Sequence, residues 1–428
     1  MNRTLIAVVG LALTACSSGG GTGGGTGGGT GGGTGGGTGG GVVSPGQLDV
    51  GFGVGGTTVF RFPCTGPSKL SAAVAVGSTV YFAGEGCSAQ GIAAVNAQTG
   101  ALVTSFGDGG VVHAPFPQSG PLSGYSATGL AAHADGTLTT SLKAFPTDGG
   151  MGDLDVVLAQ FTPAGQLNSS FGTAGSLRIH GSEYTPIAFA IDSSERLVYV
   201  ERTAITDPVK GLSVTRLSKA GVLDQTFGTG GTAIVPGASL VPFAIAAQGT
   251  QVIIAGSNGT RGFLARLGET GALDTTFGTN GVTVSANVLA DEWAFLVVQT
   301  DGKIVVLGNE GTSTKYVQRL TATGAPDSTF GSAGNYILPG SSLGAALGLD
   351  LGPQGTILVS RTNIDTSTEL ILARLSSAGV ADASFGTSGV VRKDSGGNTP
   401  TGVIRAGGGI LVFGNTGTDQ AFVTRYAE

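Results

Sequence analysis

Three observations predict an all-β fold, a seven-bladed β-propeller with four antiparallel strands per blade. The string Phe-Gly-x-x-Gly recurs at Phe52, Phe106, Phe171, Phe227, Phe277, Phe330 and Phe385, with spacings of 54, 65, 56, 50, 53 and 55 residues. Each interval holds four short runs rich in β-branched residues and bounded by Gly, Asp, Asn or Pro, the pattern of strands and tight turns. No window sustains a 3.6-residue apolar period, so helix is almost absent. A repeat of this length with four strands suits a propeller blade. A β-helix coil needs a shorter repeat, a sandwich needs about seven strands per domain, and lone hairpins cannot bury their faces.

The elements follow in chain order. Residues 1–15 read as a signal peptide: Arg3 supplies positive charge, and the 12-residue apolar run 4–15 is too short to span a bilayer permanently. Leu13-Thr14-Ala15-Cys16 resembles the lipobox of bacterial lipoproteins. That resemblance implies cleavage before Cys16, lipidation of its sulfur and new amine, and, with Ser17 following, delivery to the outer membrane. An ordinary signal peptide with an incidental Cys is the competing reading. Several acyl chains anchor firmly, since each buried CH₂ contributes ~0.8 kcal/mol. Residues 16–41 form the linker, where GGG and five TGGG units leave no side chain able to pack. Such a tether has a root-mean-square span of roughly 26 Å. Without Cys16, Cys64 and Cys87 remain as an even pair in an oxidising compartment, 23 residues apart, and a disulfide is expected. Its loop would add on the order of 3 kcal/mol; two buried thiols are the alternative.

Residues 42–428 are the seven repeats. In the fifth, the expected strands are 282–284, 294–299, 303–307 and 316–320. The strings Gly271-Ala272-Leu273-Asp274-Thr275-Thr276-Phe277-Gly278 and Asp301-Gly302-Lys303-Ile304-Val305-Val306 resemble the delta-60 repeat family of exported bacterial proteins. The resemblance covers nearly everything from Leu48 onward. It implies repeat architecture and carries no reaction or ligand. The second unit departs most, with an insertion placed at 143–155. The motif Phe is expected to plug between neighbouring blades.

Four units carry an Arg eight residues before an Asp: Arg216 and Asp224, Arg266 and Asp274, Arg319 and Asp327, Arg374 and Asp382. Arg425 has no Asp downstream and Asp49 has no Arg upstream, whereas the remaining units lose both members (Val95 with Val103, Gln160 with Asn168). Residues opposed across a hairpin pair favourably when oppositely charged, and a buried charge left alone is costly. Arg425 and Asp49 are therefore expected to meet. That requires an N-terminal strand near 56–62 to complete a last blade made by 401–406, 410–414 and 420–427, which removes the exposed sheet edges.

The chemistry is sparse. A net charge of −6 without a basic run excludes a phosphate-tracking nucleic-acid binder. No apolar stretch of 18 residues follows the N-terminus, which excludes helical channels and transporters. His113, His133 and His180 lack companions at metal-ligand spacing; no GxSxG elbow or phosphate loop occurs. Within 148–155, Asp148, Asp153 and Asp155 are candidate calcium ligands, against a solvated loop. Trp293 and Tyr316 are candidates for a binding face or for packing. Tyr125, Phe145 and Tyr184 place any recognition surface on loops of the divergent early repeats. The expected function is a monomeric, lipid-anchored envelope protein with no cofactor or metal, whose propeller is a non-enzymatic binding or scaffold module for a protein or glycan ligand. A propeller lyase or hydrolase acting on an extracellular glycan, peptide or small molecule is the alternative.

Overall fold

The computed structural model describes residues 43–63, 66–86, 89–114, 122–146, 155–180, 188–203, 210–286, 290–310, 314–339, 346–363 and 369–428. They build seven four-stranded antiparallel sheets arranged as the blades of one ring. Strands are lettered a to d from the axis outward. In blade 5 these are Ala290–Val298, Ile304–Glu310, Thr314–Leu320 and Asn335–Ile337. The strands expected at 294–299, 303–307 and 316–320 run a few residues longer, because the pleated pairing continues into their polar ends; Val282–Val284 is as expected, and the N-terminal strand is shorter, Thr57–Phe60. A single turn of 3-10 helix, Pro353–Gly355, is the helix present among the described residues. None of their helices is long and apolar enough to cross a membrane.

The sequence repeat is offset from the blade by one strand. The Phe277 motif leads into Val282–Val284, strand d of blade 4, and the chain then crosses to strand a of blade 5. The offset is resolved at the chain ends. Thr57–Phe60 pairs antiparallel with Ala421–Ala427 and becomes strand d of blade 7, outside Thr399–Ala406 and Gly409–Asn415. Around this join the Asp49 N–H donates to the Arg425 carbonyl (2.9 Å), and the Arg425 N–H donates to the Gly56 carbonyl (3.0 Å). The side chains of Arg425 and Asp49 form an ion pair.

Packing explains why the motif repeats. Each buried apolar cluster spans two neighbouring blades and contains one motif phenylalanine. Phe277, fully buried, packs among Ile253 and Leu264 of blade 4 and Leu296 and Ile304 of blade 5. The N–H of the glycine after each Phe crosses to a turn carbonyl of the next blade, as from Gly278 to Thr323 and from Gly331 to Ala378, both at 2.8 Å. Gly379 shows why that turn needs glycine: its φ is +77°, and a Cβ there would sit 2.6 Å from the Phe330 ring. The aromatic plug and the glycine it presses on are thus one device, repeated at Gly100, Gly165, Gly221 and Gly324.

Several expectations shift. Lys143 lies inside strand Leu138–Pro146, so the insertion begins after Pro146. Tyr125 and Phe145 fall on strands Leu122–Ala132 and Leu138–Pro146, not on loops. Cys16, Cys64, Cys87, Asp148, Asp153 and Tyr184 lie outside the described residues, as do the side chains of Asp155 and His180.

Candidate functional site

The arginines do more than neutralise their aspartates. Arg266 donates from Nε to Asp274 (2.9 Å) and from Nη1 to the Ala322 carbonyl of the next blade (2.6 Å). Its guanidinium also stacks 4.6 Å from the centre of the Phe277 ring. Arg216 repeats the arrangement with Asp224, the Glu269 carbonyl and Phe227. Arg319 does so with Asp327, the Ser377 carbonyl and Phe330, and Arg374 pairs with Asp382 over Phe385. Each aspartate is held below the usual carboxylate range, first by the hydroxyl and then the backbone N–H of the residue two on (Thr226, Thr276, Thr329 or Ser384), with its arginine, and Lys303 at Asp327, adding to the pull against the cost of burial. The side chain caps the aromatic plug and ties blade to blade.

Blade 2 makes the same tie without charge. The Asn168 amide donates to Gln160 Oε1 (2.7 Å), and Gln160 Nε2 donates to the Lys219 carbonyl of blade 3 (3.1 Å). Beside it, buried His133 places Nδ1 3.0 Å from Glu195 and Nε2 3.1 Å from the Thr139 hydroxyl. Lys219 bridges Asp135 (2.8 Å) and Glu195 (3.4 Å). Burial lowers the His133 pKa, opposed by Glu195. Glu195 has φ +63° where the matching turns carry Gly136, Gly302 and Gly355, so the cross-link holds a side chain in a conformation that costs about 1–2 kcal/mol. The hydroxyl–imidazole–carboxylate chain has catalytic form, but Thr139 and His133 are 0% and 1% exposed, so no substrate reaches them.

The other early candidates scatter. His113 Nε2 meets the Gly86 carbonyl at 3.0 Å. Trp293 is fully buried and donates its indole N–H to the Tyr316 hydroxyl (2.8 Å), which is packing. Among the described residues no cluster of His, Cys, Asp or Glu is placed to hold a metal.

A concavity lies at the axis. A cavity of about 1100 Å³ opens among strands a of blades 4 to 7, on the face carrying the a–b and c–d turns. Ala246, Leu296, Val298 and Leu351 supply apolar wall; Gln299, Lys303, Asp350, Arg405 and Glu428 supply polar groups. The ladder register aligns the ends of the seven inner strands. At the position facing a buried aliphatic of strand b stand Ala75, Ala132, Ile191, Ala247, Val298 and Leu351, and then Arg405. One residue earlier, Asp350 stands where other blades carry Val, Ala or Ile. Gly352 stands where the longer turns carry His133, Asp192 and Gln299, and a Cβ there would strike the Arg405 guanidinium.

These three departures touch one another. Asp350 accepts the backbone N–H groups of Leu351 and Arg405, both at 2.8 Å. Arg405 donates from Nη1 to the Thr356 carbonyl (3.0 Å), and its Nε lies 3.0 Å from a Glu428 carboxylate oxygen. Burial pushes Asp350 up to about 6, against the pull of Arg405, and lowers Arg405. The sequence reading missed this cluster. Its signal was present in the internal alignment: one arginine in a column of small and aliphatic residues.

Comparison with known proteins adds little beyond the ring. Residues 299–330 match a family described as a domain of unknown function (DUF5122) beta-propeller. No curated protein matches the chain. Among solved structures, the chain is similar to a prolyl endopeptidase at 14% identity, covering 84% of this chain and 47% of that one, with TM-score 0.48. Prolyl oligopeptidase B from Galerina marginata gives 11% identity, 81% and 47% coverage and TM-score 0.44. A protein of unknown function from Dyadobacter fermentans gives 9% identity, 70% and 93% coverage and TM-score 0.42. The chain spans about half the length of the two peptidases it resembles. By architecture the chain is a seven-bladed propeller, and residues 299–330 fit a propeller-repeat family.

Proposed function

We propose that this is an exported protein held at the outer membrane by lipid on Cys16, and that its propeller is a non-enzymatic binding module taking its ligand at the axial cavity. One observation carries the binding reading: the polar groups that break the sevenfold repetition converge on the axial cavity. A scaffold alone gains little from burying Asp350 and Arg405, because desolvation offsets most of what such a pair contributes. Ligand sites favour concave, mostly apolar surfaces with a few convergent polar groups. Catalysis on a glycan, peptide or small molecule is the weaker reading, since the hydroxyl–imidazole–carboxylate chain found among the described residues is sealed in the blade 2–3 joint. The apolar run before Cys16 and the tether after it support the anchor. The chain joins the ring at Pro45, whose carbonyl accepts the Gly386 N–H on the same face as the cavity.

Two measurements test the proposal. Metabolic labelling with an alkyne fatty acid should mark the parent and not Cys16→Ser; equal labelling refutes the anchor. Native mass spectrometry of the protein from its own membranes should show a bound small molecule, lost in Ala247→Trp, which fills the cavity. Retention of that molecule in the variant refutes the site.

A further inference from the structure

We propose that the axial cavity takes a small monocarboxylic acid, its carboxylate held side-on by Arg405 and its apolar body against Ala246, Leu296, Val298 and Leu351. The inference rests on the binding reading above and names the ligand class.

The Arg405 side chain is 7% exposed, and Nη1 is committed to the Thr356 carbonyl. Nη2 makes no hydrogen bond among the described residues, and Nε has the Glu428 ion pair but no aligned hydrogen bond. These two nitrogens form one edge, with parallel N–H groups at the spacing of a carboxylate's oxygens. Buried donors are satisfied in native proteins as a rule, and a donor edge beside a cavity whose Nη2 is unused and whose Nε is only loosely paired points to a better-fitting partner. The Glu428 carboxylate covers that edge, 3.0 Å from Nε, without making the paired hydrogen bonds the edge offers. Glu428 lies beyond the last strand, Ala421–Ala427, so it can swing away without breaking a ladder. It acts as a stand-in for the ligand.

Charge selects the class. Exchanging the single charge of Glu428 for that of a ligand carboxylate leaves the site balanced. A phosphate dianion would add charge beside Asp350, and a cation would face Arg405. The aliphatic walls favour an apolar body, whose burial contributes roughly 25 cal/mol per Å². Gly352 completes the design, because a side chain there would occupy the space of the guanidinium.

Calorimetry on the full chain with 3-phenylpropionate, its primary amide and inorganic phosphate tests the proposal. The acid should bind about ten-fold more tightly than the amide. Arg405→Gln should erase that preference, with its circular dichroism spectrum reporting whether the ring is intact. Glu428→Ala, with its circular dichroism spectrum checked in the same way, should strengthen binding several-fold by removing an internal competitor. A purely structural Glu428 would give no such gain. Equal binding of acid and amide would overturn the carboxylate assignment and leave the binding-module reading standing. Phosphate binding tighter than the acid would overturn it too. So would the absence of saturable acid binding up to about 10 mM in both parent and Glu428→Ala.

Discussion

Deleting residues 48–62 should abolish the cooperative unfolding of the whole ring, although those residues form only one short outer strand. The segment contributes backbone hydrogen bonds at the join, among them Asp49 to Arg425 and Arg425 to Gly56. Each is worth about 0.5–1.5 kcal/mol. It also contributes Phe52, Phe60 and Phe62, which are 0%, 7% and 0% exposed in the blade 7–1 cluster. Burying each contributes about 1.5–3 kcal/mol. Together these reach about 6–15 kcal/mol, as large as the whole net stability of a typical domain. The Arg425 side chain would also lose Asp49 while still largely buried. Urea unfolding followed by circular dichroism and by Trp293 fluorescence measures the outcome. The parent should show one steep transition; the truncated chain should show a broad, early one, restored by adding the missing segment as a peptide. A truncated chain that unfolds at the parental midpoint with the parental slope would refute closure by the chain ends.

Two further outcomes follow from particular side chains. Arg266→Val should destabilise by about 3–5 kcal/mol, because it breaks a buried pair. Asp274→Val should be costly too, since it leaves the more buried partner, Arg266 (8% exposed against 15%), without its counter-ion. The double variant should cost about 1–3 kcal/mol less than the sum, since blade 1 tolerates Val95 and Val103 at these positions. Additive denaturation free energies would contradict the pairing argument. Glu201 is raised from 4.5 to about 7 by burial, and its Oε2 has no partner among the described residues. Here the folded state holds the proton more tightly than the unfolded one, so stability falls as pH rises from about 4.5 to about 7. Glu201→Gln should therefore gain about 2 kcal/mol above pH 7, after discounting for partial exposure, and nothing below pH 4.5. A gain that does not change with pH would count against a buried carboxyl there.

The repeat made the architecture legible before any coordinates. Phe-Gly-x-x-Gly, the short β-branched runs and the glycines are local requirements, set by turn geometry and by the volume of one aromatic ring. The unpaired Arg425 and Asp49 reported ring closure because a buried charge needs a partner wherever the chain supplies one. The same pairing logic could not show the arginines capping phenylalanines and reaching the next blade, because that contact lies about fifty residues away and depends on how blades stack. Asp350, Arg405 and Gly352 are unremarkable one at a time. They become a site only when strands 50 residues apart converge at the axis, where each departure from the repeat faces the others. Local sequence determined the blade, because strands and turns answer to neighbouring residues. Tertiary structure decided the cavity, because its walls are shared by four blades and belong to none of them.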